Sequence, residues 1–282
     1  FVPFRTILHG GTLGLVAVTA ATVGVSAAPT AMRLTAVASI LGLGVALFWA
    51  LQASRPDIRR VRPEYHTRYW IRTSLPMLVM LGMSLVMNQL DTIMLGAING
   101  TDAAGLYFPL ARMSQLAAFG LLSANAIVAP MISELHTAGQ RDRLQRLLTL
   151  AAIGTSAITL TVVVGFWLFG EWILGLFGAE FVAGYPALLV LLLGQVVNAF
   201  CGPVGFMMTM TGHQDRASLV VIGGALVNAT LNALLIPQYG IMGASVATGI
   251  SIAFWNLWML FEVWRRHRLN TSVFARWPNL RF

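Results

Sequence analysis

The sequence has no lysine, few acidic residues and one cysteine, and these shortages restrict the classes of protein to which it can belong. Charged residues make up 10% of the chain, whereas an ordinary soluble domain contains roughly 25%. So few charges cannot cover a surface that faces water, but they suffice for a surface that faces lipid. The one cysteine, Cys201, lies in an apolar stretch, which excludes a disulfide framework and a cysteine metal cluster.

Motifs for catalysis and nucleotide binding are also missing. The sequence contains no glycine-rich phosphate loop, no paired carboxylates within an apolar stretch and no serine–histidine arrangement of usable spacing. We therefore expect no catalytic residues, no cofactor and no metal site, and interpret the chain as a protein other than an enzyme. Any energy input would come from elsewhere, such as a proton or sodium gradient or the gradient of the substrate itself.

Long apolar stretches dominate what remains. A helix that crosses the hydrocarbon core needs about 20 mostly apolar residues, so the fold class is all-α and integral to the membrane, with about eight spans. The predicted spans run roughly over 7–28, 31–52, 74–97, 104–132, 147–170, 186–210, 217–236 and 241–264. The fourth stretch is longer than a perpendicular crossing requires, so it is expected to tilt or to extend beyond the membrane.

The net charge of +8 reflects membrane topology rather than nucleic-acid binding. All 18 basic residues are arginines, and they lie in short gaps between apolar stretches instead of in one basic patch. Sixteen of them fall in alternate gaps and at the two ends of the chain, with Arg33 as an exception. Because arginine-rich segments stay on the cytoplasmic side, both ends of the chain are predicted to be cytoplasmic.

This pattern predicts four segments. They are two helices within 1–53, a basic cytoplasmic linker at 54–73, six helices within 74–264 and a basic cytoplasmic tail at 265–282. The linker is either an amphipathic helix on the membrane surface or a solvated connection. From Asn270 onward we expect disorder. We expect solvated histidines in the arginine-rich segments, namely His66, His136, His213 and His267.

Two ionisable residues lie within predicted spans, where charge is costly and a functional role is the first hypothesis. Asp91 is in the third span and Arg112 is in the fourth, at similar depths on either side of a short outer loop near Gly100. We predict that the two form an ion pair or share a water-filled cavity in the outer half of the membrane. A structural pair that joins two helices is an equal alternative.

Polar residues recur at helical spacing in several spans, so they share helix faces. Such faces either line a cavity or join helices by hydrogen bonds. The stripes are Ser84, Asn88 and Asp91; Arg112 and Gln115; Gln195, Asn198 and Gly202; and Gly224, Asn228 and Asn232. We select Asn88, Gln115 and Asn198, with Asp91 and Arg112, as candidate residues of a transport cavity.

Four stretches, in order, resemble the second lobe of bacterial polysaccharide-export flippases. They are SLPMLVMLGMSLVMNQLDTIMLGAINGTDAAGLYFPLARMSQL, APMISELHTAGQRDRLQRLL, FGAEFVAGYPALLVLLLGQ and ALVNATLNALLIPQYGIMGASVATGIS. The resemblance covers most of Arg68 to Trp264. The family belongs to the multidrug, oligosaccharidyl-lipid and polysaccharide exporter superfamily, whose members have two six-helix lobes around a central cavity.

The resemblance implies one complete six-helix lobe, preceded by the last two helices of the other lobe, with about four helices upstream of Phe1. It implies a multi-pass protein of the bacterial inner membrane that flips a lipid-linked oligosaccharide by alternating access. The implied partners are an undecaprenyl-pyrophosphate-linked oligosaccharide, membrane lipids and glycan-assembly enzymes. In this interpretation Arg112 contacts phosphate, Asp91 modulates it, and Asn88, Gln115 and Asn198 contact sugar or water.

Other functions remain compatible with the residues. A proton- or sodium-coupled multidrug exporter of the same superfamily would use Asp91 as its ion-binding carboxylate. A membrane enzyme of glycan assembly would need a larger outer loop than the roughly fifteen residues from Glu171 to Tyr185. A scaffold without transport activity is the remaining alternative.

Overall fold

The computed structural model describes residues 66–275 and, before them, positions 37, 40–42, 44, 45 and 48. The chain divides into two units, Phe1–His66 and Thr67–Phe282. The first predicted span, nearly all of the second, most of the linker and the end of the tail lie outside the described residues.

The described part of the second unit consists of helices joined by short loops, with no strand, which confirms the predicted all-α class. Four of its helices are long and apolar enough to cross a membrane, and a further bent pair makes a fifth span. The helices are α1 (Thr67–Asn99), α2 (Thr101–Thr137), α3 (Arg141–Gly175), α4 (Ala179–Val182), α5 (Tyr185–Cys201), α6 (Val204–Met210) and α7 (Gln214–His267). As expected, the fourth predicted span extends well past its apolar stretch, since α2 contains 37 residues.

Helix α7 consists of two helices that meet at Gly240. Gly240 has φ 53° and ψ −127°, a conformation outside the helical region that glycine adopts at little cost. A Cβ at Gly224 would touch Trp255 and a Cβ at Gly223 would touch Trp258, so residues before and after Gly240 lie against each other. The chain therefore reverses at Gly240. The two halves correspond to the predicted spans 217–236 and 241–264.

The predicted span 186–210 is a broken helix. Helices α5 and α6 meet at an angle of 44°, and Gly202 and Pro203 lie between them. Gly202 has a φ of 72° and Pro203 has no backbone N–H, so neither residue can continue a regular helix.

The core contains two hydrophobic clusters, one toward each end of the bundle. The cluster at the arginine-rich end includes Ile132, Leu144 and Met207, and the cluster at the other end includes Leu95 and Leu188. Helices α1, α2, α5 and the first half of α7 each contribute residues to both clusters. In α1 and the first half of α7 the polar stripe lies between the residues of one cluster and the residues of the other, and in α2 and α5 it lies close to that boundary. The sequence thus places its polar side chains in the middle layer of an apolar bundle.

The prediction of a disordered tail from Asn270 is wrong for the described part of the tail. Thr271 is fully buried, and its hydroxyl donates to the carbonyl of Cys201 at 2.8 Å. The N–H of Val273 donates to the carbonyl of Phe200 at 3.0 Å, and the N–H of Asn270 donates to Gln145 Oε1 at 2.9 Å. The break after α5 leaves helix-end carbonyls without partners in the helix, and the tail pairs with them. The polar composition of the tail gave no indication that it packs against the break after α5.

The prediction that the histidines of the arginine-rich segments are solvated is wrong for His267, which is 8% exposed. Its ring packs edge-on against those of His136 and His213, with centroids 5.5 and 4.9 Å apart. The hydroxyl of Thr211 lies 3.1 Å from His267 Nε2. The cluster forms because the ends of α2 and α7 and the loop before α7 meet at the arginine-rich end.

Replacing Gly202 with alanine is expected to destabilise the protein by about 2 kcal/mol. A Cβ at this position would collide with the carbonyl oxygen of Thr271, and the positive φ adds strain for any side chain. The measurement is the thermal unfolding midpoint of the purified protein in detergent. Gly205→Ala is the matched control, since a Cβ there meets nothing within 4 Å. Equal midpoints for the two variants would contradict this account of the tail.

Candidate functional site

Asp91 is the centre of a buried hydrogen-bond network, and it is 4% exposed. Asn232 Nδ2 donates to Asp91 Oδ1 at 2.6 Å, and Asn228 Nδ2 donates to the same oxygen at 3.2 Å. The Tyr107 hydroxyl donates to Oδ2 at 3.1 Å, and the Thr248 hydroxyl donates to Oδ2 as well. The carboxyl group is the acceptor in all four bonds.

Helical spacing explains how these groups converge. Asn228 and Asn232 are four residues apart and share the face of α7 that meets α1. Thr248 joins them because the chain reverses at Gly240. Asp91 and Tyr107 come from α1 and α2, on either side of the short loop at Gly100. Four polar donors from three helices thus surround one carboxylate.

The network also offers oxygen atoms for a hard cation. Asn232 is fully buried, and its Oδ1 has no hydrogen-bond partner. The carboxylate of Asp91 and the hydroxyls of Tyr107 and Thr248 form an all-oxygen set, the chemistry that alkali and alkaline-earth ions prefer. Among the described residues, no group of three or more His, Cys, Asp or Glu side chains could hold a metal ion. The set therefore suits a monovalent cation better than a transition metal.

Asp91 and Arg112 do not form the predicted ion pair, whereas the alternative that they share a water-filled cavity stays a prediction. Arg112 Nη1 donates to Gln115 Oε1 at 3.0 Å, and its guanidinium lies 4.8 Å from the centre of the Phe108 ring. Depth alone suggested the pair, but Tyr107 occupies the matching position on α2. Arg112 is five residues further on, about 140° around the helix, and is exposed.

A pocket of about 210 Å³ lies beside the Asp91 network. That volume corresponds to about seven water molecules at ~30 Å³ each. All of the lining side chains are uncharged. They are Ser84, Met87, Asn88, Gln115, Ala118, Gln195, Asn198, Val221, Asn228, Thr248, Ile252 and Trp255.

Three of the five predicted cavity residues meet at this pocket. Asn88, Gln115 and Asn198 line it, and Gln115 Nε2 lies 3.5 Å from Asn88 Oδ1. The other two lie beside the pocket without lining it. Asp91 is hydrogen-bonded to the lining residue Asn228, and Arg112 is hydrogen-bonded to the lining residue Gln115. The polar stripes predicted from helical spacing therefore converge, with the two charged residues outside the pocket wall.

Sequence reasoning missed Tyr107, Thr248 and Trp255. A lone tyrosine, threonine or tryptophan in an apolar span is too common to stand out. Gln195, Asn228 and Asn232 were within the predicted stripes but were not selected, although their spacing of three or four residues from another polar residue was the available signal.

No family model matches the chain. Among curated proteins it is 28% identical over 171 residues to the probable flippase AglR of Haloferax volcanii, covering 60% of the chain and 36% of AglR. It is 27% identical over 219 residues to the multidrug resistance protein NorM of Vibrio vulnificus, covering 71% of the chain and 45% of NorM. An uncharacterised membrane protein of Methanocaldococcus jannaschii is 27% identical over 207 residues, covering 68% of the chain and 38% of that protein.

Two solved structures share the fold. One is an outward-facing multidrug resistance MATE family transporter of the MOP superfamily, with a TM-score of 0.60 and 21% identity, covering 75% of the chain and 48% of that structure. The other is a MOP superfamily transporter from Pyrococcus furiosus, with a TM-score of 0.54, 21% identity and the same coverage.

The apolar helices and their buried polar centre define a multi-pass helical membrane protein. It is similar in sequence to proteins named as flippases and multidrug transporters, and it shares the fold of two MOP superfamily transporters. The chain spans less than half the length of these relatives.

Proposed function

We propose that this chain forms the cation-coupled half of a flippase that moves a lipid-linked oligosaccharide to the outer leaflet by alternating access. The observation that carries the proposal is the position of the uncharged, amide-lined pocket directly beside the Asp91 network. The pocket contacts the transported molecule, and the network binds the ion whose gradient drives the cycle. Sequence relatives that are named as probable flippases support this assignment.

The pocket suits a sugar better than an organic cation. Carboxamides and hydroxyls both donate and accept hydrogen bonds, as sugar hydroxyls do, and Trp255 adds a flat apolar surface for a sugar ring. A carboxylate in the wall would favour a cationic drug. Among the described residues, the carboxylate beside the pocket is that of Asp91, which is buried behind Asn228 and Thr248 and already accepts four hydrogen bonds.

Arg112 is the proposed contact for the phosphate groups of the lipid carrier. Its guanidinium is exposed, and the hydrogen bond from Nη1 to Gln115 leaves its other N–H groups free to bind an anion. Since no acidic residue pairs with Arg112 in the described part of the chain, its positive charge is available. Arginine binds phosphate through paired, charge-assisted hydrogen bonds, and Gln115 fixes the guanidinium at the edge of the pocket.

Asp91 is the proposed binding site of the coupling cation. The hydroxyl oxygens of Tyr107 and Thr248 lie beside its carboxylate and add to the oxygen atoms there. A buried carboxylate in a membrane is a position at which binding of a sodium ion or a proton changes the local charge strongly. The same event can therefore favour one state of the transporter over another.

We further propose the cell context that the sequence resemblance implies. The substrate carrier is undecaprenyl pyrophosphate, and the membrane is the bacterial inner membrane, with both ends of the chain in the cytoplasm. Membrane lipids surround the apolar outer face of the bundle, and glycan-assembly enzymes that supply the lipid-linked sugar are functional partners.

A second candidate function is a cation-coupled multidrug exporter. The oxygen-rich Asp91 site fits this function equally well, and NorM is among the sequence relatives. The two candidates differ in the charge of the substrate, and the uncharged pocket favours the flippase.

The test is deletion of the complete gene, followed by measurement of which membrane leaflet accumulates lipid-linked oligosaccharide. We expect accumulation in the cytoplasmic leaflet, relieved by re-expression of the gene. A normal distribution of lipid-linked sugar together with increased sensitivity to organic cations would contradict the flippase and support the exporter. Re-expression of an Asp102→Asn variant, altered at an exposed position at the start of α2, should restore the distribution as well as the wild type does.

A further inference from the structure

A segment that follows α7, residues 268–273, lies across the break between α5 and α6, and we call it the latch. Its Thr271 hydroxyl donates to the carbonyl of Cys201 at 2.8 Å, and its Val273 N–H donates to the carbonyl of Phe200 at 3.0 Å. Both carbonyls belong to the last turn of α5, where the helix itself supplies no partner for them. The latch therefore completes the hydrogen bonding at the end of α5.

The other side of the latch pairs with α3. The backbone N–H of Asn270 donates to Gln145 Oε1 at 2.9 Å, and Gln145 Nε2 donates to the backbone carbonyl of Asn270. The end of α5 that the latch holds also lines the pocket, since Asn198 lies three residues before Cys201. Release of the latch would therefore remove a connection between α3 and the pocket wall on α5.

The histidine cluster adjoins the latch directly. His267 immediately precedes the latch, and its backbone carbonyl accepts a hydrogen bond from Arg141 Nη2 at 2.7 Å. Its buried ring packs against the rings of His136 and His213. Since His267 lies beyond the predicted span 241–264, at the arginine-rich end, protons in the aqueous phase have a short path to it. A proton on this ring would place a charge in a buried position among other basic groups.

Burial and the positive charges of its neighbours lower the pKa of His267 to about 4. These neighbours, none of which is acidic, are His213, His136, Arg266 and Arg141. When the latch detaches and the ring meets water, its pKa returns toward the ordinary histidine value of about 6.5. The docked state therefore has its full stability above about pH 6.5 and loses stability as the pH falls toward 4. Between pH 7.5 and 5.5, this difference shifts the equilibrium toward release about tenfold.

We propose that residues 268–273 are an acid-sensitive latch, which holds the end of α5 at neutral pH and detaches when the histidine cluster gains a proton. His267 is the sensor, and the segment after it is the moving part. Only a few hydrogen bonds must break, so the latch can detach while the bundle stays folded. The latch acts in the same way whichever molecule is transported, so it can be measured without a substrate.

The experiment follows maleimide labelling of a Ser272→Cys variant of the complete transporter in lipid nanodiscs, and mass spectrometry identifies the labelled peptide. Ser272 is buried, so a thiol at this position reacts only when the latch detaches. Ala138→Cys, at an exposed position, gives the intrinsic pH dependence of the thiol reaction. Ala244→Cys, at a fully buried position in the cluster at the other end, reports unfolding of the bundle.

We expect the labelling rate at position 272, relative to that at position 138, to rise about tenfold between pH 7.5 and 5.5. Position 244 should stay protected at both pH values. A constant ratio, or labelling of position 244 that rises together with that of position 272, would overturn the proposal.

Variants of the sensor and of the latch are made in the Ser272→Cys background. His267→Gln and His267→Phe cannot gain a proton in this pH range, and the second keeps a ring for packing, so the labelling ratio should become independent of pH in both. Thr271→Val removes the hydrogen bond to Cys201 and should raise labelling at pH 7.5 about fivefold. Thr209→Val is the matched control, since the Thr209 hydroxyl bonds only to carbonyls of its own helix, α6. An unchanged pH response in both His267 variants, or equal labelling in Thr271→Val and Thr209→Val, would overturn the proposal.

Discussion

Replacing Asp91 with asparagine is expected to abolish cation-driven transport while the protein remains folded. Asparagine has the same shape but no charge, and its NH2 group replaces one of the two acceptor oxygens, so one pair of donors loses its acceptor. Loss of a buried charged partner costs roughly 3 kcal/mol or more, which corresponds to at least about a hundredfold loss of cation affinity. The measurement is radioactive sodium binding, together with flipping or export in cells that express the variant.

Protein abundance and melting behaviour provide the control for Asp91→Asn. Asparagine can still accept a hydrogen bond through Oδ1, so the bundle should assemble, and its abundance in the membrane should approach that of the wild type. Asp91→Ala leaves all four donors without an acceptor, so it should fold less well. Wild-type ion binding in a well-folded Asp91→Asn variant would exclude Asp91 as the ion site.

Helical spacing was sufficient to predict the layer in which the site lies. Asn88, Gln115 and Asn198 come from three different helices, yet each was selected from a local polar stripe, and all three meet at one pocket. This worked because a polar face in an apolar helix must turn away from lipid. When several such faces occur at the same depth, the interior of the bundle is the place where they can meet.

Rotation of each helix about its own axis could not be predicted in the same way. Asp91 and Arg112 lie at similar depths, but packing turns Asp91 toward α7 and leaves Arg112 exposed. Contacts between segments that are far apart in the chain could likewise not be predicted from the sequence. Gln145 bonds to the backbone of Asn270 across 125 positions, and Thr248 reaches Asp91 across 157. Such pairs depend on the reversal at Gly240, which the predicted spans 217–236 and 241–264 already implied, and on the break at Gly202. Local sequence at neither position specifies which distant residues then face each other.

Arg112→Ala is expected to reduce flipping of a pyrophosphate-linked oligosaccharide by about 10- to 100-fold, since a hydrogen bond to a charged group contributes roughly 1.5–3 kcal/mol. Removal of the side chain also frees Gln115 from its bond to the guanidinium. Arg112→Lys should recover only part of the activity, because lysine supplies charge without the planar, forked donor group. The measurement is transfer of the labelled lipid-linked sugar between leaflets of vesicles that contain the complete transporter.

Arg143 provides a close control for Arg112. It is also exposed and also bonds through Nη1 to a glutamine three residues away, in this case Gln140 at 3.0 Å. However, Arg143 lies at the start of α3, in the arginine-rich gap, and far along the chain from the pocket residues. Arg143→Ala should therefore leave flipping almost unchanged, although it removes the same charge and the same type of hydrogen bond. If both substitutions lowered flipping equally, the effect would come from the net charge of the cytoplasmic side, and Arg112 would have no special contact with phosphate. If Arg112→Ala alone were inactive toward a pyrophosphate carrier but bound an uncharged glycoside normally, the arginine would contact the phosphate and the amide pocket would contact the sugar.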